Sequence, residues 1–116
     1  MATYNFKMNQ GSDLKLPLVL KDANEAIIDL TGYSCAMQVR VTKPNPNAID
    51  TLTIKSGRIV ITPTEGKIDL IFPHAKTSKY PAGNVVYDIE LTSPDGYVTR
   101  ILEGTIKVSG EVTRVE

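Results

Sequence analysis

Residues 84–108, NVVYDIELTSPDGYVTRILEGTIKV, form the clearest predicted β-hairpin in the chain. In the first arm, apolar side chains recur at every second position, as a half-buried strand requires. Residues 93–96, SPDG, are typical of a tight turn, because proline presets φ, aspartate bonds nearby backbone and glycine accepts positive φ. The second arm alternates less regularly, and we expect a β-bulge at Gly104 that shifts its register by one residue. The rest of the chain should be further sheet that packs on this hairpin.

Short alternating segments fill most of the remaining sequence. In residues 14–20 four leucines occupy every second position. Pro17 cannot donate to a ladder, so we expect this strand at a sheet edge, or position 17 turned away from its neighbour. Other predicted strands cover 3–8, 26–28, 34–41, 52–54, 59–61 and 68–72. The one segment that favours a helix is 74–80, HAKTSKY, which is at most a turn or two long and is stopped by Pro81.

Closely spaced strands joined by Gly and Pro turns predict an all-β protein, because a βαβ design needs crossovers of about a dozen residues. We expect an Ig-like two-sheet antiparallel β-sandwich of about eight to nine strands with Greek-key connections. The 116 residues suffice for one domain, which we assign to 1–110, with 111–116 as a short C-terminal tail. The chain has one Cys and no Trp, so the disulfide and packed tryptophan of immunoglobulin domains are absent.

Composition argues against several functional classes. The 13 basic and 13 acidic residues balance, and no basic cluster suitable for nucleic acid appears. The amino terminus is polar, and no run approaches the roughly 20 apolar residues of a membrane span. Cys35 falls on an apolar strand face, which predicts a buried, inert thiol rather than a nucleophile or metal ligand. We expect synthesis in the cytoplasm and no membrane or nucleic-acid partner.

No constellation typical of an enzyme is found in the sequence. His74 lacks an evident nucleophile or orienting carboxylate, so a surface or capping role is favoured. Asp88 and Glu90 lie two apart on one strand face, about 7 Å from each other, but alternating acids are typical of a solvated face, with Arg100 as a neighbour across the hairpin. Dispersed aspartates are explained by turns rather than by calcium. We predict no catalytic residue, cofactor or metal.

Two kinds of binding surface remain open. The tyrosines Tyr80 and Tyr97, if exposed, are candidates for a sugar platform, whereas Tyr87 should lie in the core. Protein contacts are the other interpretation, because loops and sheet edges commonly carry binding. The candidate contact residues lie at the predicted edge, in the Pro- and Asn-rich loop 43–47 and in the tail: Pro17, Lys43, Pro44, Asn45, Pro46, Asn47, Glu111 and Arg114.

Five motifs follow one another along nearly the whole chain: QG at 10–11, DLTG at 29–32, GRIVI at 57–61, PAGNVVYDIE at 81–90 and DGYVTR at 95–100. In this order the chain resembles small β-sandwich proteins of tailed bacteriophages and prophages, akin to the amino-terminal domain of phage baseplate upper proteins. The resemblance implies a virion structural protein that acts by protein–protein contacts, with no catalytic residues to carry over.

The resemblance also implies where the protein acts. Its partners would be other virion proteins and copies of itself in a symmetric assembly, and its location the virion. Relatives often continue into fibre or receptor-binding segments, whereas this sequence ends at Glu116, so we expect a tail, baseplate or neck adaptor or connecting subunit. The alternatives are a capsid decoration protein and a carbohydrate-binding module at the virion surface.

Overall fold

The computed structural model describes residues 2–110 and 112. Within them the predicted all-β fold is confirmed: the strands form two sheets, and helical structure is limited to two short segments. The helical segments are a 3₁₀ turn at Pro63–Glu65 and the helix α1 at His74–Thr77. The strands are β1 (Ala2–Thr3), β2 (Phe6–Asn9), β3 (Leu14–Val19), β4 (Ser34–Arg40), β5 (Asp50–Thr53), β6 (Ile59–Thr62), β7 (Lys67–Phe72), β8 (Gly83–Thr92) and β9 (Val98–Ser109).

The larger sheet has the order β1-β9-β8-β4-β5, with β2 also paired to β9, and the smaller sheet has the order β3-β7-β6. The chain therefore changes sheet between β2 and β3, between β3 and β4, between β5 and β6, and again between β7 and β8. Pairing of β4, β8 and β9 in one sheet and of β3, β7 and β6 in the other corresponds to the arrangement of the immunoglobulin sandwich.

The core lies between the two sheets and is built by the alternation seen in the sequence. On β8 the predicted inner face is buried at Val85, Tyr87, Ile89 and Leu91. From the smaller sheet, Ile68, Leu70 and Phe72 of the central strand β7 are fully buried. Each sheet has one apolar face, and packing these faces together removes both from water.

The amino-terminal segment differs from the prediction in direction and continuity. Both β1 and β2 run parallel to β9, whereas all other strand pairs described are antiparallel. The segment is interrupted at Tyr4 and Asn5, where the Asn5 side chain accepts a hydrogen bond from the Thr105 backbone N–H at 2.9 Å. Beyond the break, Phe6 and Met8 point into the core.

The predicted position of the β-bulge was wrong. Gly104 pairs in register with Tyr87, and the register instead shifts beyond Ile89, which pairs with Leu102 while Glu90 pairs with Arg100. The residue left over on β9 is Ile101. Gly104 is required for another reason: a Cβ at this position would lie 2.0 Å from the backbone oxygen of Tyr4. Glycine thus allows the amino-terminal segment to cross β9 closely.

Two shorter predictions are also modified. Residues 26–28 do not form a strand and make only an isolated bridge between Lys21 and Ile27. The helical segment near 74–80 is confirmed as a single turn, α1. It ends well before Pro81, and Tyr80 N–H donates to Thr77 O at 3.1 Å to close a further turn.

Candidate functional site

The loop after β4 is exposed and held in place by its own hydrogen bonds. Asn45 N–H donates to Thr42 O at 3.2 Å, and Asn47 N–H donates to the Asn45 side-chain oxygen at 2.9 Å. Arg40, the last residue of β4, donates from Nη1 to Asn45 O at 2.8 Å. The predicted contact residues Lys43, Pro44, Pro46 and Asn47 are exposed, and Asn45 is half-buried.

This loop borders a groove of about 470 Å³ on the outer face of the larger sheet. The groove crosses β4, β5, β8 and β9, and its walls are mainly polar. Its lining includes Gln38, Lys43, Thr51, Asp88, Arg100 and Glu103. Lys43, one of the predicted contact residues, therefore lines the same groove as Asp88 and Glu90, the two carboxylates that the sequence placed on an ordinary solvated face.

The charges in the groove compensate one another. Arg100 Nε lies 3.4 Å from Asp88 Oδ2, and Arg100 Nη1 lies 3.7 Å from Glu103 Oε1. Lys43 Nζ lies 3.4 Å from the same Glu103 oxygen. The predicted neighbourhood of Asp88 and Arg100 is confirmed. Because both side chains are more than a third exposed, this pair contributes at most about 1 kcal/mol to stability. The Lys43–Glu103 pair is the one that links the loop to the sheet.

Pro17 lies on an edge strand, as predicted, because among the strands of the described residues β3 pairs only with β7. Leu20 N–H donates to Gly66 O at 2.8 Å, and hydrogen-bonded pairs alternate along an antiparallel ladder. Pro17, opposite Asp69, therefore occupies a non-hydrogen-bonded pair. Its nitrogen, which carries no hydrogen, faces the free edge and removes one donor from it. The other predicted contact residues, Glu111 and Arg114, lie outside the described residues.

Tyr80, a candidate for a sugar platform if exposed, is 2% exposed, so it cannot serve as one. Its hydroxyl donates to Asp50 Oδ2 at 2.8 Å. Asp50 also forms a buried bidentate pair with Arg58, at 2.7 and 3.1 Å, and Arg58 Nε donates to Ile71 O at 2.8 Å. Burial acts to raise the pKa of Asp50, but the hydrogen bonds from Arg58 and Tyr80 outweigh it, and the pKa is lowered.

This network was missed because its members are spaced far apart in sequence and each is ordinarily exposed. It joins β5 to the start of β6 and to the segment after α1. Burial, followed by the hydrogen bond and charge of Asp50, raises the pKa of Tyr80. All its polar groups have partners within the sandwich, so its role is structural. Tyr97 remains 73% exposed at the end of the long hairpin, and Tyr87 is in the core as predicted.

His74 has a carboxylate partner that the sequence did not indicate. Asp13, 61 residues away, accepts a hydrogen bond from the His74 backbone N–H at 2.6 Å, and its Oδ1 lies 3.0 Å from His74 Nδ1. The backbone hydrogen bond, followed by that of the side chain, lowers the pKa of Asp13. Both side chains are about 70% exposed. Asp13 thus satisfies the first backbone N–H of α1 from outside the helix, and the exposed His74 side chain agrees with the predicted surface role, while the capping group is Asp13.

The buried, inert character predicted for Cys35 is confirmed. Its side chain is 5% exposed, and burial raises the pKa of the thiol to about 11. The thiolate is the reactive form of cysteine, so at neutral pH this side chain acts as a small apolar core residue.

Two of the five motifs contribute to contacts between separate turns of the sandwich. Gln10 donates from Nε2 to Tyr80 O at 2.7 Å, immediately before the PAG segment. Gly32, with φ of 80°, packs so closely on Pro94 of the hairpin turn that a Cβ would lie 2.9 Å from Pro94 Cγ. These motifs are placed where separate turns contact each other.

Among residues 2–110 and 112, no group of three or more His, Cys, Asp or Glu side chains is arranged to hold a metal ion. No helix in this part of the chain is long and apolar enough to cross a bilayer. In comparisons with known proteins, no family model matches the chain and no curated protein has significant sequence similarity to it.

Proposed function

We propose that this chain is a structural subunit of a bacteriophage virion, an adaptor or connecting part of a tail, baseplate or neck that acts by protein–protein contacts. The observation that carries the proposal is the order of five sequence motifs over nearly the whole chain. The Ig-like two-sheet sandwich is the fold that this resemblance implies. Because the fold is described independently of the resemblance, it supports the proposal. In this role the chain has no catalytic task and no cofactor, and its partners are other virion proteins and its own copies.

The loop 43–47 is the contact surface that we propose for a neighbouring virion protein. It is exposed, yet it is ordered by Arg40, by its own turns and by the Lys43–Glu103 pair. A preorganised loop loses little conformational entropy on binding. Two prolines further limit its freedom before a partner is met.

The first experiment is quantitative mass spectrometry of purified particles from cells that carry the gene on a phage or prophage, with immunogold labelling to locate the protein. We expect the chain to copurify with particles and to label one station. A small ring of copies means baseplate or neck, whereas on the order of hundreds means the capsid decoration alternative. Absence from purified particles would overturn the proposal.

Variants of the loop 43–47 test whether this loop is the contact surface in the particle. Replacing Lys43, Pro44 and Pro46 together by Ser should lower incorporation at least several-fold while leaving the fold unchanged, because these residues lie outside the core. The control replaces Lys55 and Ser56, in the exposed turn between β5 and β6, by Ser and Ala. Equal incorporation of both variants would remove the loop as the contact surface and leave the virion role to the mass spectrometry.

A further inference from the structure

The outer face of the smaller sheet contains a buried carboxylate, one oxygen of which has no hydrogen-bond partner among the described residues. Asp69 lies on the central strand β7, between the core residues Ile68 and Leu70, so its side chain points away from the core. It is nevertheless only 6% exposed. Within residues 2–110 and 112, its Oδ1 accepts no hydrogen bond, and Lys67 Nζ, the cation paired with it, lies 4.0 Å away, too far for a hydrogen bond.

Apolar side chains flank this carboxylate on both neighbouring strands. The register places Pro17 of β3 on one side of Asp69 and Val60 of β6 on the other. Ile71 follows two residues along the same strand, and Val19 lies one row further on β3. Val60 is 45% exposed and Val19 51% exposed. An apolar patch around one poorly solvated anion is unlike the charged outer faces by which sheets ordinarily meet water.

A carboxylate in this position reduces the stability of the isolated subunit. Leaving a buried polar group without a hydrogen bond is destabilising, and more so when the group is charged. Such groups in folded proteins need an explanation, and binding is one that fits an outward-facing residue. A partner that places a cation beside this carboxylate would offset its charge and cover the apolar patch at once.

The same face also contains the cation. Lys15 lies on β3, two residues from Pro17 and diagonal to Asp69 across the β3–β7 ladder. It is exposed and, within the described part of the chain, forms no ion pair. With Lys67, the face has apolar residues and charges of both signs, so it is complementary to itself.

We propose that this face, formed by Lys15, Pro17, Val60, Lys67, Asp69 and Ile71, binds the same face of a second copy of the chain. Consider a two-fold axis that lies between the facing small sheets of two copies and is parallel to them. If it passes midway between Lys15 and Asp69, at right angles to the line that joins them, it brings Lys15 of each copy against Asp69 of the other. Pro17 and Ile71 occupy the other diagonal of this four-residue array and lie near the axis. Each copy thus contributes an apolar contact at the axis and one ion pair beside it.

The size of the face determines how strong the contact is. Three strands of up to six residues cover roughly 14 by 20 Å, or about 300 Å² per copy, well below the roughly 800 Å² of a standard interface. The contact is therefore weak in dilute solution and gains strength where copies are held close together. The proposed virion role enters this inference only as the source of a high local concentration of copies. The contact itself is tested on the purified chain.

Sedimentation equilibrium of the full chain, up to about 1 mM, tests the contact by charge exchange. Lys15→Glu and Asp69→Lys should each weaken association at least ten-fold, because each places like charges together twice. Mixing the two variants should restore it: the new glutamate of one faces the new lysine of the other, and the native Asp69 and Lys15 form the second pair. Lys55→Glu, away from this face, is the matched control and should associate like the original chain.

Concentration-dependent amide shifts provide a measurement that does not depend on the variants folding. We expect shifts along β3, β6 and β7 and none in the groove of the larger sheet, and Val60→Lys should abolish them. A chain that is monomeric up to 1 mM, shifts confined to another face, or folded variants whose mixture does not restore association would overturn the proposal. None of these results would alter whether the protein is found in particles.

Discussion

Gly104 has no Cβ, and this absence allows the amino-terminal segment to lie against β9 at Tyr4. Gly104→Ala should destabilise the fold by about 2–4 kcal/mol, since the added Cβ meets the Tyr4 backbone oxygen at 2.0 Å and backbone yields poorly to overpacking. Urea unfolding followed by circular dichroism measures the change. Gly110→Ala is the matched control, because the nearest atom to its Cβ is at 3.8 Å. Equal stabilities of the two variants would contradict the close crossing.

Asp50 makes a prediction about pH. Its pKa is lowered in the folded state, so its contribution to stability is complete above the unfolded value, 3.8, and is lost as pH falls through the folded pKa. Asp50→Asn should cost about 3 kcal/mol at pH 7, because Arg58 is left buried without its anion. The difference from the original chain should stay constant above about pH 5 and shrink below about pH 4.

Urea unfolding at pH 7, 5, 4 and 3 measures this difference. Other acidic groups titrate in both proteins, so they cancel in the comparison. Asp88→Asn is the control: this carboxylate is 39% exposed beside Arg100, and its loss should cost less than about 1 kcal/mol. A cost for Asp50→Asn that is unchanged down to pH 3 would show that the carboxylate charge does not stabilise the network.

At the scale of the element, strand β3 is protected by its proline. Pro17→Val should leave the free energy of unfolding within about 1 kcal/mol, because no ladder hydrogen bond is lost, yet it adds a free N–H to an exposed edge. We expect faster aggregation at 37 °C, measured by light scattering. Pro44→Val, in the loop after β4, is the control and should aggregate like the original chain. Slower or equal aggregation of Pro17→Val would remove the protective role.

The strands themselves were predictable because their apolar residues repeat every second position, which is a local property. Their pairing was not, since neighbours in a sheet are distant in sequence. Gly104 illustrates the limit: a glycine inside a strand indicates either a bulge or a close backbone approach, and only the position of Tyr4 decides between them. The actual bulge residue, Ile101, is apolar and gives no local signal.

At the scale of the whole molecule, only the parts of the site that have a local sequence signal were predictable. The loop 43–47 is recognisable from its prolines and asparagines, and Pro17 from its missing donor. By contrast, the groove forms only when β4, β8 and β9 lie side by side, and the burial of Tyr80 follows from partners at positions 50 and 58. The burial of Asp69 likewise has no local signal in the sequence, because the neighbours Pro17 and Val60 lie on other strands.

The fold as a whole should depend on its first nine residues. Removing 1–9 takes Phe6 and Met8 out of the core, where Phe6 packs on Phe72 and Tyr87 with ring centroids 6.1 and 5.3 Å apart. The two losses sum to about 5–10 kcal/mol, comparable with the total stability of a domain, and they uncover the edge of β9. We expect a chain that aggregates or lacks a cooperative unfolding transition, as measured by thermal circular dichroism.

Removal of residues 1–3 is the matched control for this truncation. It deletes only β1, whose two residues are exposed, and it leaves Tyr4 N–H donating to Glu103 O at 2.9 Å. We expect a change of less than about 1 kcal/mol, because truncation tolerance follows burial and not position in the sequence. If the longer truncation unfolded cooperatively within about 5 °C of the full chain, the parallel strand β2 would be an accessory to a sandwich that the other strands complete by themselves.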